Sequence, residues 1–381
     1  MSETSASLHT TFLSRWWALT HKEFRQLLRD RSNVAIGLVL PIVLILLFGY
    51  GISLDVQQAA VAVVLEDASP DAAEAISGLQ LSPYLRPIQT RSMAEAQALM
   101  AGERVDAILR IPSDFAARQR AGHAVVQLIV HGTDAATARI IESYVGGALA
   151  RARIGMADRA GESTAARGVV LETRLWFNAA NNSTWYLVPG LIVLIVTLVG
   201  AFLTSLVVAR EWERGTLEAL FVTPVRPTEI LLAKLVPYFV VGAIGFAMCL
   251  AAARWLFEVP MMGSVWLIVV AAMLYLLVAL GIGLLISSAT KNQFLASQVA
   301  LLSSFLPAMM LSGFLFDLRN VPAVVRSIAE LLPATHFLRL LKTLFLAGNV
   351  WQIVVPQMLY LVAYAAFFLL AARLATRKRL A

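Results

Sequence analysis

Charge is what this sequence has least of. Only 14% of its 381 residues are Asp, Glu, Lys or Arg, where a soluble domain carries about 25%, and the mean hydropathy is +0.74. So apolar a chain is not an ordinary soluble fold, because much of its surface must face lipid. Cysteine is scarcer still. A lone Cys249 allows no disulfide within the chain and no Cys/His metal cluster. His9, His21, His123, His131 and His336 are scattered without ligand spacing. There is no HExxH for a zinc protease, no mid-span aspartate for an intramembrane protease, and no GxxxxGK[ST] to cradle nucleotide phosphates. A membrane-embedded hydrolase is therefore disfavoured.

What the chain does have is long runs without charge. Residues 32–54, 187–208, 259–290, 292–316 and 343–372 lack acidic and basic side chains, as does the shorter run 235–253. About 20 apolar residues cross a bilayer core, and a backbone in lipid must satisfy its own hydrogen bonds, so six transmembrane helices are expected. The charges that remain are grouped. Residues 55–183 are nearly balanced, and small cationic excesses lie in the first 31 residues, at Lys291, in 317–342 and in the tail. Excesses beside spans act as orientation signals rather than as a nucleic-acid footprint.

Five basic residues, Arg15, Lys22, Arg25, Arg29 and Arg31, precede the first span and put the N-terminus in the cytoplasm. Threading six spans then places 55–183 outside, 209–234 inside, 317–350 outside and the C-terminus in the cytoplasm. The cations of the last outer segment, Arg319, Arg326, Arg339 and Lys342, are the one discordant note. The stretch 15–31 sets Trp16, Leu19, Phe24, Leu27 and Leu28 against that cationic remainder, the pattern of an interfacial helix lying on anionic headgroups.

The domain reading follows. Residues 1–31 form a cytoplasmic N-terminus with the interfacial helix, 32–54 the first transmembrane helix, and 55–183 an inserted extracytoplasmic α/β domain. Residues 184–381 hold five more transmembrane helices. In 55–183, the β-rich runs AAVAVVLED, VDAILRIP and AVVQLIVHG alternate with helical segments that open on Ser, Pro or Asp, the order of a small α/β fold. A longer helix is expected from Asp134. Around 317–348, Asp317, Pro322 and Pro333 break a half-apolar stretch, which predicts two short interfacial helices on the outer side. Pro307 and Gly313 predict a kinked fifth span. GIG at 281–283 is read as close helix packing, and NNST at 181–184 as a polar junction that also contains glycosylation sequons.

The apolar runs carry no ionisable group, so a path for a charged ion has nothing to line it. A hydrophobic or amphiphilic cargo fits better. Polar candidates for a translocation path are Thr197 and Thr204 in the second span and Gln293, Ser297, Gln298 and Ser304 in the fifth; helix-to-helix hydrogen bonding explains them equally well.

One charged island remains, AREWERGTLEALFVTPVRPTEILLAK at 209–234. Its two-signed surface suits docking by charge complementarity, and Trp212, Leu217, Leu220 and Phe221 would be poor choices for a loop facing only water. The pattern R-E-x-E-R-G-T-L-E-x-L-x-x-T-P-V followed by E-I-L-x-x-K resembles the joint of ABC type-2 exporter permeases. The likeness extends to the basic amphipathic helix, the large outer domain, VPG at 188–190, LSGFLF at 311–316 and LLPATHFLR at 331–339. It looks like the multidrug-type branch.

The resemblance implies a permease subunit that is not itself an enzyme and binds no cofactor. ATP and Mg would sit on a separate ABC ATPase chain, and a second permease subunit, identical or paralogous, would complete the pair in the bacterial inner membrane. A periplasmic adaptor is a further candidate partner; nucleic acid is not. The coupling helix it implies, at 209–227, contains Glu211, Trp212, Glu213, Arg214, Gly215, Thr216 and Glu218. The interfacial helix, with Lys22, Glu23 and Arg25, would also lean on the ATPase. The alternative is an envelope-assembly or signalling scaffold of the same fold that moves no solute.

Overall fold

The computed structural model describes residues 12–51, 58–102, 104–121, 123–130, 135–159, 182–216, 226–316, 318 and 321–376. The chain divides into two compact units, Ser53–Arg174 and the remainder.

The first helix, α1 (Phe12–Arg29), buries Thr20, Glu23 and Leu27. Their three- and four-residue spacing puts them on one face, and that face packs on the helix beginning at Pro227. Leu13, Trp17 and Leu28 are exposed on an adjacent face that runs towards Arg25 and Arg29, while Lys22 borders the buried stripe on its other side. Asp30 then caps α2 (Arg31–Gly51), accepting the Ser32 N–H at 3.1 Å. Over Ala35–Val39 the helix widens to π spacing. Pro41 follows and cannot donate to the Gly37 carbonyl, which is the kind of break a π turn absorbs.

The unit Ser53–Arg174 follows the expected alternation. Its elements are β1 (Ala59–Leu65), α3 (Pro70–Gln80), β2 (Leu85–Thr90), α4 (Met93–Ala101), β3 (Ala107–Ile111), α5 (Phe115–Arg120), β4 (Gln127–Val130) and α6 (Ala135–Arg159). The sheet order is β2-β1-β3-β4. β1 is parallel to both neighbours, with Val63 opposite Gln89 and Leu109, and β4 is antiparallel to β3. Because side chains alternate across a strand, Ala59, Val61 and Val63 join one core with Leu79, Leu109 and Ile141. Ala60, Ala62 and Val64 join another with Ala96 and Ile108. A strand covered on both faces reads as a continuous apolar run, as AAVAVVL does.

The remaining helices are α7 (Ser183–Glu213), α8 (Pro227–Leu256), α9 (Val265–Thr290), α10 (Gln293–Leu311), α11 (Ala323–Glu330), α12 (Pro333–Lys342) and α13 (Trp351–Ala375). Among the described residues six helices are long and apolar enough to cross a membrane: α2, α7, α8, α9, α10 and α13. α7 is the central one. It is buried nearly all round, and it packs against α2, α8, α9, α10 and α12. Its closest approach is to α9. A Cβ on Gly283 would lie 2.3 Å from the Ala201 carbonyl oxygen, and one on Gly200 would lie 2.6 Å from the Ala279 Cβ. Only missing side chains allow that spacing.

In α10 the turn Leu301–Phe305 widens to π spacing just before Pro307, the counterpart of the Pro41 break. The two short helices expected over 317–348 part company. α11 leaves Val324 and Ile328 exposed, whereas α12 does not lie at a surface. Its residues Ala334 to Phe337 and Leu338, Leu340 and Leu341 are buried against α7, α9 and α13. Phe337 stacks on Tyr275 at 4.3 Å, and His336 is held between the Glu330 carbonyl at 2.8 Å and Gln357 Oε1 at 2.7 Å. The scattered charges that suggested an interface are confined to the few positions that escape this packing.

Candidate functional site

The charged island lies where α7 ends and α8 begins, and there the helices outrun the apolar segments that announced them. α7 continues to Glu213 and α8 starts at Pro227, so Glu211, Glu229 and Lys234 belong to the same helices as the spans. All three are buried. A buried charge must be paired, and the pairing is dense.

Lys234 Nζ lies 2.7 Å from Glu211 on α7 and 3.3 Å from Glu23 on α1. Lys22 approaches the same two carboxylates, at 3.2 Å from Glu23 and 3.5 Å from Glu211. Two lysines and two glutamates thus form a neutral quartet across three helices. The side chains of Glu23, Glu211 and Lys234 are at most 5% exposed, while that of Lys22 is 49% exposed. Burial alone would pull the Lys22 ammonium down, but Glu23 and Glu211 outweigh it and hold the group above the ordinary lysine value.

Further connections flank the quartet. Arg15 on α1 reaches the fully buried Glu229 at 3.0 Å, and the other oxygen of Glu229 accepts the Arg226 N–H at 2.7 Å. Glu229 therefore caps the start of α8 while binding α1. Arg210 pairs with Asp30 and donates to Gln293 Oε1 at 3.2 Å. Glu213 accepts the backbone N–H of Gln293 at 2.8 Å and also its side-chain amide. Lys291 sits 4.1 Å above the Trp212 ring, a cation–π contact. On α9, Ser287 Oγ accepts the N–H groups of Val208 and Ala209 at 3.0 and 2.9 Å.

The sequence profile of the ABC-2 family transporter proteins matches residues 31–374. The chain belongs to the ABC-2 transporter family. This ABC-2 chain is 40% identical over 365 residues to the probable multidrug ABC transporter permease YbhS of Escherichia coli K12, covering 95% of this chain and 97% of that protein. It is 30% identical over 338 residues to YbhR, also named a probable multidrug ABC transporter permease, from the same strain, covering 87% and 90% respectively. The linearmycin resistance permease protein LnrN of Bacillus subtilis is 23% identical over 336 residues, covering 82% of this chain and 86% of that protein.

Within this ABC-2 permease, the candidate coupling residues face two ways. Glu211 points into the quartet, and Trp212 is half-buried under Lys291. Glu213, Arg214, Gly215 and Thr216 are exposed. Gly215 has φ +66, the left-handed conformation in which glycine commonly ends a helix. Glu218 lies outside the described residues, as do Leu217, Leu220 and Phe221. On α1, Glu23 is buried, Lys22 bridges the two glutamates and Arg25 is exposed.

The path candidates do not come together. Thr197 bonds the Val193 carbonyl at 2.6 Å and the Tyr275 hydroxyl at 2.5 Å. Thr204 donates within reach of the Gly200 and Leu280 carbonyls, both at 2.9 Å. Both threonines are spent on holding α7 to α9. Gln293 is at the joint. Ser297 bonds the Phe294 carbonyl at 2.7 Å, Gln298 is exposed, and Ser304 is buried on α10 without a hydrogen-bond partner.

Asp30, Glu229, Lys234, Ser287 and Lys291 carry as much of this arrangement as the expected residues. Glu229 and Lys234 already stood in the E-I-L-x-x-K pattern. Asp30, Ser287 and Lys291 gave slight signals, a charge at the edge of an apolar run or a serine inside one, which reads as a span boundary or as packing unless its partner on another helix is known.

Proposed function

We propose that the chain is the membrane-spanning subunit of an ATP-driven exporter, moving a hydrophobic or amphiphilic solute out of the cytoplasm or the inner leaflet of a bacterial inner membrane. ATP and Mg are bound by a separate ATPase chain, and a second permease subunit, identical or paralogous, completes the pair. The multidrug names of two relatives support the solute class. The cations of α1 support placing the termini and the joint in the cytoplasm, with the inserted α/β unit on the other side. Leu13, Trp17 and Leu28 beside the cationic face support α1 resting in the headgroup layer.

The observation that carries the reading is the two-sided joint. Its inner side is anchored: Glu211 by a buried ion pair to Lys234 on α8 and by Lys22 on α1, and Arg210 by a part-buried pair to Asp30 at the start of α2. Its outer side, Arg214 to Thr216, is exposed and left for a partner. Removing one member of a buried ion pair costs about 3–5 kcal/mol, whereas replacing a whole pair by apolar groups is often neutral. Such a quartet adds little net stability and selects one alignment of α1, α7 and α8. A push on the outer side is then passed on by helices held in register.

The test is reconstitution. The purified chain alone should hydrolyse no ATP. Its complex with the partner ATPase should hydrolyse ATP faster in the presence of a lipophilic dye such as rhodamine 6G, and should move that dye across vesicles. Hydrolysis by the chain alone would overturn the division of labour; dye-independent hydrolysis without dye movement would favour the scaffold.

A further inference from the structure

Among the spans that do not adjoin it in sequence, the joint reaches the start of α10 in an unusual way. The first N–H groups of a helix have no partner within it. At α10 two of them are satisfied from different sources. Asn292 accepts the Leu295 N–H at 2.9 Å, an ordinary cap. The Gln293 N–H is instead accepted by Glu213, the last residue of α7. Glu213 also takes the Gln293 side-chain amide, so one carboxylate holds the first residue of α10 at two points. A negative charge at a helix N-terminus is favourable in itself. One residue before this cap, Lys291 adopts φ 56 and places its ammonium over Trp212. Arg210, one turn back on α7, closes the circuit on Gln293 Oε1.

We propose that α7 caps α10 in trans, so that Glu213, Gln293 and Lys291 form a clamp delivering movement of the joint directly to the start of α10. The clamp gives Glu213 a task inside the chain, distinct from meeting a partner, and makes Gln293 and Lys291 positioning residues for coupling. The inference rests on the exporter reading. Because α10 contains a widened turn at Leu301–Phe305, its first two turns can follow the joint while the rest keeps its packing.

The receiving side can be altered without touching the docking residues. Proline is tolerated at the first position of a helix. Asn292, at φ −135 and ψ 128, already has the extended conformation that a following proline requires. Gln293→Pro therefore removes both bonds to Glu213 while keeping the helix, and Lys291→Ala removes the cation–π contact. Hydrogen–deuterium exchange is compared between nucleotide-free and ADP–orthovanadate-trapped complexes of the full chain with its ATPase in lipid nanodiscs. In the unaltered complex the exchange of both 209–216 and 293–305 should change on trapping. In Gln293→Pro/Lys291→Ala the change at 209–216 should persist and that at 293–305 should be lost, with Lys291→Ala alone intermediate. Persistence of the change at 293–305 in the double variant, or its absence from the unaltered complex, overturns the clamp. No change at 209–216 in the unaltered complex overturns the coupling reading itself, and the clamp with it.

Discussion

The two units of this protein place their ion pairs in opposite settings. In the α/β unit, Arg110 and Glu66 form a bidentate pair at 2.8 and 3.0 Å, with side chains 40% and 31% exposed. In the helical unit, Lys234 and Glu211 form a pair of similar length with side chains 2% and 5% exposed. Geometry does not separate them; solvent does. Exposed pairs contribute little because water competes for both partners. Buried ones contribute little net stability either, because desolvation offsets attraction, yet losing one partner is severe. The first kind is dispensable, while the second constrains which arrangement the helices adopt.

The largest expected effect comes from breaking that constraint. Lys234→Ala leaves Glu23 and Glu211 buried with only the half-exposed Lys22, and should destabilise the helical unit by about 3–5 kcal/mol, read as a lower melting temperature in detergent. Lys234→Met/Glu211→Met should recover much of that loss; no recovery would mean that the quartet contributes more than charge cancellation. Next is helix spacing. Gly283→Ala sets a methyl 2.1 Å from Thr204 Oγ1 and 2.3 Å from a backbone carbonyl, and should cost about 1–3 kcal/mol as overpacking in the same assay.

In the α/β unit the comparable change is milder. Ser69 caps α3 by accepting the Ala72 N–H at 3.2 Å, so Ser69→Ala should cost about 1 kcal/mol, measured by hydrogen exchange of α3. Smallest is Glu66→Ala, which should leave exchange of β1 and β3 unchanged near neutral pH. The hydrogen bond from Arg110 holds the Glu66 carboxyl below its ordinary value. Its small contribution is thus fully present above that ordinary value and fades as pH falls through the lowered one. A large effect of Glu66→Ala at neutral pH would erase the contrast between the two settings.

Much of this was legible in the residues. The apolar runs announced six helices, AAVAVVLED announced a strand, and the segments opening at Ser69 and Ser92 announced helices. The island at 209–234 stood out by its charge as a candidate site. What could not be read was direction. α7 is apolar on all sides, so its periodicity holds no information about which neighbour any residue meets, and Thr197 and Thr204 looked as suited to a path as to packing. The same holds for α12, whose charges suggested a surface although its other positions fill the bundle.

The sequence by itself determined the membrane class, the helix count, the α/β insertion and the location of the joint, because these follow from local composition and period. Only the tertiary structure decided that Glu211 turns inward while Arg214 turns outward, that Lys234 joins two carboxylates from helices far apart in the chain, and that Glu213 caps a helix some 80 residues away. The physical reason is that a charge at the end of an apolar helix can either reach water or find a partner. Which of the two occurs depends on what the neighbouring helix brings to the same depth.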